Sequence, residues 1–305
     1  MWIILAFISA ALLGFYDASK KHSLRDNAVI PILFLNTLFC SGLLLPFIIM
    51  SATGHISEES HFFVALISAE QHRLIIIKSV IVLSSWLLGY FAIKHLPLTI
   101  VGSVNATRPV LTIVGALLVF GEELNAWQWA GVILGVFSFY LMSRSGSKEG
   151  IRFSHSLWIY LLVGAAVLGA VSGLYDKHLM SPVEAGGAGL NRMAVQGWYN
   201  IYQCLMMGLM LIIIWFPTRK RTTRFRWKHS IIFISLFLTV ADFVYFYALT
   251  DPDAMISVVS MVRRGSVLVS FAIGALIFKE KNLRSKAIDL IFVILSMICL
   301  WICSN

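Results

Sequence analysis

The sequence predicts an all-α membrane protein whose ten transmembrane helices form two inverted five-helix repeats. Three observations predict this fold class. Of the 305 residues, 59% are hydrophobic and 13% are charged, which is more apolar surface than a soluble domain of this length can bury. Long apolar runs alternate with short polar connectors. Motifs of the first half of the chain also recur in the second half.

Each apolar run is about 18–26 residues long, which is enough to cross a bilayer as a helix. No soluble domain fits into the connectors between the runs. We therefore divide the chain into a first five-helix repeat at 1–143, a connector at 144–156 and a second five-helix repeat at 157–305. The predicted spans are 2–19, 28–50, 72–94, 97–120, 125–143, 157–178, 190–216, 230–249, 254–278 and 283–303.

Three motifs recur in the same order, at nearly the same offset of about 159 residues. Because each repeat holds an odd number of spans, the two repeats insert into the membrane in opposite orientations. This is the inverted repeat of secondary transporters, whose cargo binds between the repeats. The motif pairs are Gly14-Phe-Tyr-Asp17 with Gly173-Leu-Tyr-Asp176, Tyr90–Pro97 with Tyr245–Pro252, and Gly115–Glu122 with Gly274–Glu280.

The net charge of +9 comes from basic residues that concentrate in the odd-numbered connectors, whereas the even-numbered connectors are mostly acidic. The positive-inside rule then predicts that the odd-numbered connectors are cytoplasmic and that both termini are outside. We expect a multi-pass protein of the cell (inner) membrane, in contact with the lipid bilayer. The sequence shows no extended basic face interleaved with aromatic residues, so we expect no nucleic-acid binding.

Three arginines lie near the centres of predicted spans: Arg108 in span four, and Arg263 and Arg264 in span nine. A cation at this depth costs about 2.5–3.5 kcal/mol on insertion scales, so it needs a cavity or a partner. Guanidinium groups fit phosphate and carboxylate groups with paired hydrogen bonds. Two interpretations are open: the arginines bind an anionic cargo, or they form structural ion pairs. Adjacent helical residues point about 100° apart, so Arg263 and Arg264 do not share one centre.

Two further charged residues belong to the candidate substrate-binding set. Asp242 lies inside span eight and is either a counter-ion of the arginines or a proton-coupling site. Lys78 lies in the second turn of span three, where it either snorkels to the surface or adds to a basic cavity. With the arginines, these residues make the interior net positive, which favours an anionic or zwitterionic small molecule.

Asp17 and Asp176 are repeat-equivalent and lie near the ends of spans one and six. Their neighbours Lys20 and Lys177 suggest local ion pairs, and a role in gating is the alternative. Polar side chains on spans two and seven complete the candidate site, either as hydrogen-bond partners between helices or as pocket lining. They are Asn36, Tyr199, Asn200 and Gln203.

With these features the chain resembles the drug/metabolite transporter superfamily, EamA type. The resemblance covers both repeats and includes Gly121-Glu122 at the end of span four, which Lys279-Glu280 replaces in span nine. It implies membrane transport, and it implies both termini inside, against the charge bias. Arg108 and the Arg263–Arg264 pair are also similar in place and charge to the phosphate-holding residues of plastid sugar-phosphate translocators.

The leading hypothesis is a secondary transporter that moves a small organic anion or zwitterion by alternating access. Such a cargo is a phosphorylated or carboxylated metabolite, or an amino acid-like molecule. Coupling to protons or to a counter-substrate is expected, since no nucleotide-binding loop is present. The alternative is a flippase for a phosphate-bearing, lipid-linked substrate.

We expect no enzyme activity, metal or cofactor, because the spans hold no catalytic or metal-binding constellation. Glycines spaced four residues apart occur at Gly131-x-x-x-Gly135 and Gly169-x-x-x-Gly173. Such spacing permits close helix packing, either within the chain or in a homodimer.

Overall fold

The computed structural model describes residues 2–108, 110–111, 126–147, 155–180, 183–248, 263, 265–279 and 283–302. These residues are mostly helical, and no β-strand occurs among them. The helix Arg192–Met210 continues through a π-helical turn (Leu211–Trp215) and a last short turn (Phe216–Thr218). The helices are α1 (Trp2–Leu24), α2 (Val29–Ala52), α3 (Ala69–His95), α4 (Leu98–Ala106), α5 (Ala126–Ser147), α6 (Leu157–Met180), α7 (Arg192–Met210), α8 (Ser230–Ala248), α9 (Ser266–Leu276) and α10 (Leu283–Ile302).

Four of the predicted spans are confirmed as helices that are long and apolar enough to cross a membrane. Helices also occupy the described parts of the other predicted spans. Arg264 and the recurring Gly115–Glu122 segment lie outside the described residues. The four confirmed spans are Val29–Ala52, Ala69–His95, Leu157–Asp176 and Arg192–Thr218.

Capping side chains set where two of these helices begin. α3 starts at Ala69, earlier than the predicted start at 72, because Ser68 and Gln71 form a capping box. The N–H of Gln71 donates to Ser68 Oγ at 3.3 Å, and the N–H of Ser68 donates to Gln71 Oε1 at 2.9 Å. Asn191 caps α7 by accepting a hydrogen bond from the N–H of Ala194 at 3.0 Å.

The outer surface of the bundle is apolar, whereas part of its interior is polar. The side chains of Ile212 and Val136 are 66% and 63% exposed, but Asn36 and Gln203 are 0% exposed. Water would penalise this distribution, whereas lipid solvates the apolar exterior. Together with the four confirmed spans, it identifies a multi-pass membrane protein whose polar chemistry lies between the helices.

The two halves of the chain pack mainly against each other. α1 packs most extensively on α8, α3 on α6 and α5 on α10, while α2 packs on α7 and α4 on α9. Gly14 lets α1 approach α9, because a Cβ there would lie 2.4 Å from Val269 Cβ. The carbonyl of Gly131 on α5 accepts a hydrogen bond from Ser296 Oγ on α10 at 2.6 Å. This contact favours packing within the chain over dimerisation for the Gly131 motif.

The α1–α2, α3–α4 and α7–α8 connectors meet at one end of the bundle, which we call the odd face. Lys21, near the end of α1, donates to the carbonyls of Ile93 at 2.7 Å and of Leu96. Asn27 is buried in the α1–α2 connector and holds the backbone of Arg226. Its Nδ2 donates to the Arg226 carbonyl at 2.6 Å, and its Oδ1 accepts from the Arg226 N–H at 2.8 Å.

The α2–α3 and α6–α7 connectors lie at the opposite end, which we call the even face. Phe62 of the α2–α3 connector stacks between Phe47 of α2 and Phe243 of α8, with ring centroids 5.1 and 4.9 Å apart. The neighbouring His61 ring lies 4.9 Å from the ring of Tyr247 on α8. The α2–α3 connector therefore joins the first half of the chain to the second half at this face.

Candidate functional site

One candidate site is a cavity between α1, α3, α4 and α6, which we call the Arg108 cavity. Its volume is about 30 Å³, which is room for only about one or two water molecules. Its polar lining includes two cations and no carboxylate among the described residues. The lining includes the charged, aromatic and amide side chains of Tyr16, Lys20, Trp86, Tyr90, Asn105 and Arg108.

Arg108 reaches this cavity from α4 because α6 leaves room for its side chain. A Cβ on Gly169 of α6 would lie 2.8 Å from the Cζ atom of Arg108. Any larger side chain at Gly169 would therefore displace the guanidinium from this position. Asp17 and Tyr16 of α1 interact electrostatically with Arg108, so the negative charge of Asp17 helps to stabilise the cation at this depth.

Lys20 is the second cation of the Arg108 cavity, and it is 8% exposed. Its Nζ lies 2.8 Å from Asp17 Oδ1, which is the local ion pair expected from the sequence. The ammonium also lies 4.4 Å from the ring centroid of Tyr16 and 5.2 Å from that of Tyr90. These aromatic faces stabilise a buried cation. Lys20 is thus an interior residue, although it lies near the end of a predicted span.

A second group of charges, the central cluster, lies between α7, α8 and α9. Arg263 forms an ion pair with Asp242, and its guanidinium lies 4.2 Å from the ring centroid of Tyr245. The hydroxyl of Tyr199 donates to the other carboxylate oxygen of Asp242 at 3.4 Å. The structure therefore places Asp242 as a counter-ion.

Lys78 joins the central cluster from α3. It is 5% exposed, it forms an ion pair with Asp176 of α6, and its Nζ lies 5.2 Å from the ring centroid of Tyr199. The snorkelling interpretation is therefore wrong, because the ammonium turns inward to a carboxylate on another helix. For Asp176 the local pattern indicated Lys177, whereas the ion pair that the structure shows links two distant parts of the chain.

A family comparison indicates what kind of protein this chain resembles. Residues 1–144, just under half of the chain, match the model of the EamA-like transporter family. That family is part of the drug/metabolite transporter superfamily, and the match indicates a membrane transporter of this type.

A solved crystal structure of another protein is similar in fold to this chain. The two share 15% identity and a TM-score of 0.61, over 98% of this chain and 97% of the other. Identity at this level is informative about the fold alone. No functionally curated protein matches the sequence.

The predicted site residues of the EamA-like chain thus divide between the two places. Arg108 and Asp17 lie at the Arg108 cavity. The central cluster holds Arg263, Asp242, Tyr199, Lys78 and Asp176, with Asn36 and Asn200 buried nearby. Arg264 lies outside the described residues.

Tyr90 lies between the two places, because it lines the Arg108 cavity and belongs to the same buried cluster as Cys40 of α2. Cys40 is buried beside Asn36. Among the residues described, no group of three or more His, Cys, Asp or Glu side chains is arranged to hold a metal ion.

Proposed function

We propose that this protein is a secondary transporter that moves a small organic anion or zwitterion by alternating access, with the anionic group held in the Arg108 cavity. One observation carries the proposal: within the described part of the chain, the cavity is lined by Lys20 and Arg108 and by no carboxylate. When Asp17 is counted with the lining, the described residues around the cavity carry two positive charges and one negative charge. An anionic cargo offsets the cost of keeping these cations away from water.

Other groups of the cavity suit the same cargo. The hydroxyl of Tyr90 lies near that of Tyr16 but makes no well-aligned hydrogen bond within the described structure. It is therefore available to donate to an anion. Trp86 and Tyr16 offer apolar faces to the rest of the molecule. Arg263, by contrast, is engaged by Asp242, so we assign it a structural role.

The proposed architecture is ten spans in two inverted repeats. In a two-fold relation, each helix of the first half corresponds to the helix five places later, so that α1 corresponds to α6 and α3 to α8. Exchanging the halves then turns the α1–α8 contact into the α6–α3 contact. The same exchange maps the α2–α7, α4–α9 and α5–α10 contacts onto themselves. This pattern supports a two-fold relation between the halves. The connectors described above also alternate between the odd face and the even face, as consecutive membrane spans require.

Alternating access finds support in the different closure of the two faces. In the even half of the bundle, the ion pair of Lys78 with Asp176 crosses between the halves, and Phe62 stacks between α2 and α8. The Arg108 cavity instead lies towards the odd face, since Lys20 and Tyr90 are near the odd-face ends of α1 and α3. We assign this conformation to a state that loads and unloads cargo at the odd face.

The cavity also favours a carrier over a lipid flippase. Its walls come from four neighbouring helices, and α3 packs extensively on α6 along one side. Such walls face other helices rather than lipid, whereas a lipid-linked cargo needs a lateral opening for its tail.

Thermal stability and uptake test the proposal together. Purified protein is heated with propionate, glycerate, propyl phosphate or glycerol 3-phosphate, and with choline as a cation. We expect at least one anion, but not choline, to raise the Tm and to accumulate in proteoliposomes. Arg108→Ala should abolish both responses while the protein still elutes as a folded species. Arg224→Ala, in the exposed α7–α8 connector, is the matched control. Full anion binding and uptake by the Arg108→Ala variant would overturn the assignment.

A further inference from the structure

Several buried amide side chains lie beside the central cluster without hydrogen-bond partners. Gln203 is 0% exposed, and within the described structure neither its Oε1 nor its Nε2 has a partner. The same holds for Nδ2 of Asn36, at 0% exposure, and Oδ1 of Asn200, at 3%. Interior polar groups are nearly always hydrogen-bonded, so each exception requires an explanation such as a bound ligand or water.

These amides meet where α2, α7 and α8 pack together, and we call them the amide cluster. Ser41 of α2 donates to the backbone carbonyl of Asn200 at 2.8 Å, which brings α2 against α7 at this depth. Cys40 lies one turn from Asn36, contacts its Oδ1 at 3.8 Å and reaches the carbonyl of Ser235 on α8 at 3.8 Å. Gln203 follows Asn200 by about one turn of α7.

Tyr90 lies between the amide cluster and the Arg108 cavity. It lines that cavity and belongs to the same buried cluster as Cys40, which sits beside Asn36. On the other side, Tyr199 precedes Asn200 and donates to Asp242. A molecule with its charge at Arg108 therefore has the amide cluster next to it, towards the centre of the bundle.

The chemistry of the cluster is neutral and combines donors with acceptors. Amide N–H groups donate, and amide oxygens accept. A hydroxyl group does both, so it satisfies such a mixed set, whereas an apolar group leaves every amide unpaired. A second anionic group would meet amide oxygens that repel it. The set therefore suits the uncharged, hydroxyl-bearing part of a molecule.

We propose that the amide cluster is a specificity subsite for hydroxyl groups, so that the cargo is a hydroxylated organic anion. This inference rests on the proposed function, because it takes the anionic end of the cargo to lie in the Arg108 cavity. It adds a specificity role for Gln203 and Asn36, which form hydrogen bonds with the uncharged part of the cargo.

Matched pairs of anions test the subsite. Glycerate and propionate carry the same carboxylate on three carbons, and glycerol 3-phosphate and propyl phosphate form the equivalent phosphate pair. From two extra neutral hydrogen bonds, we expect the hydroxylated member to bind about tenfold more tightly, measured as the concentration that gives half the maximal thermal shift. Gln203→Leu removes one of the amides that bind the hydroxyl groups and should lower this ratio severalfold.

Met207→Leu is the matched control, because Met207 is equally buried about one turn further along α7 and has no hydrogen-bonding amide. It should keep the tenfold ratio. Asn36→Leu provides a second variant if Gln203→Leu does not fold. Equal binding of hydroxylated and plain anions by the unaltered protein, or an unchanged ratio in both Leu variants, would overturn the subsite while leaving the anion site intact. Failure of all four anions would instead overturn the anion site, and the subsite with it.

Discussion

The contact between Gly169 and Arg108 gives the sharpest prediction for the site. A Cβ on Gly169 would lie 2.8 Å from Cζ, 2.9 Å from Nη1 and 3.0 Å from Nε of Arg108. Ordinary contacts between such atoms are about 3.5–4.0 Å. In the Gly169→Ala variant the guanidinium therefore has to move by roughly 0.7–1 Å, away from α6 and across the cavity.

The size of this shift sets the size of the effect. Binding groups have to be held to within about 0.5 Å, and a misplacement of about 1 Å costs on the order of 100-fold where geometry is critical. We expect Gly169→Ala to raise the half-saturating anion concentration between about 10-fold and 100-fold and to lower uptake in proportion. The fold should not suffer, since alanine exceeds glycine in helix propensity by about 0.8–1.0 kcal/mol.

Thermal-shift titration and proteoliposome uptake measure the two effects separately. Gly164→Ala is the control on the same helix, because a Cβ there would meet only the methyl end of Leu88, at 3.2 Å. It should bind anions like the unaltered protein. If Gly169→Ala also binds and transports normally, the guanidinium of Arg108 is not the group that holds the cargo.

Three further predictions concern the closed even face and the central ion pair. Asp176→Asn weakens the charge pair that links the halves, so Cys40, as the only cysteine in the variant chain, should react faster with a membrane-impermeant maleimide added at the even face. Phe62→Ala removes two ring contacts worth about 0.5–1.5 kcal/mol each, and it should lower the Tm by several degrees and speed the same labelling. Asp242→Asn leaves a partly buried guanidinium without its counter-ion and should destabilise the protein by up to about 3 kcal/mol, whereas adding Arg263→Gln should restore part of that loss.

For each of these three predictions, one result would contradict the reasoning. Unchanged labelling of Cys40 in the Asp176→Asn variant would show that the ion pair does not hold the even face closed. Faster labelling from the odd face alone would contradict the assignment of the Phe62 stack. Simple additivity of the Asp242 and Arg263 substitutions would show that the two side chains are not energetically coupled.

The spans were predictable because their length and hydropathy are local properties. The start of α3 was not, since its first turn is polar and its position depends on the Ser68 capping box. The arginines were correctly identified as unusual, yet the sequence treated Arg108 and Arg263 alike. Their difference comes from tertiary contacts. Arg263 forms an ion pair with Asp242, whereas Arg108 packs against Gly169 and lines a cavity.

Lysines were the hardest residues to interpret. Lys20 lies near the end of a predicted span, yet the structure encloses its ammonium between two tyrosine rings and Asp17. Lys78 and Asp176 are far apart in the sequence, and no local pattern pairs them. Pairing over such a distance depends on which helices pack together, and hydropathy does not encode that.

Asn27 has a mechanical consequence for the transport cycle. Its side chain binds the backbone of Arg226 through both a donor and an acceptor, so the α1–α2 corner and the α7–α8 corner are fastened to each other. α1 also packs more extensively on α8 than on any other described helix. We therefore expect helices from opposite halves of the chain to move together in the proposed transport cycle. The proposed opening then does not follow the boundary between the two halves of the sequence.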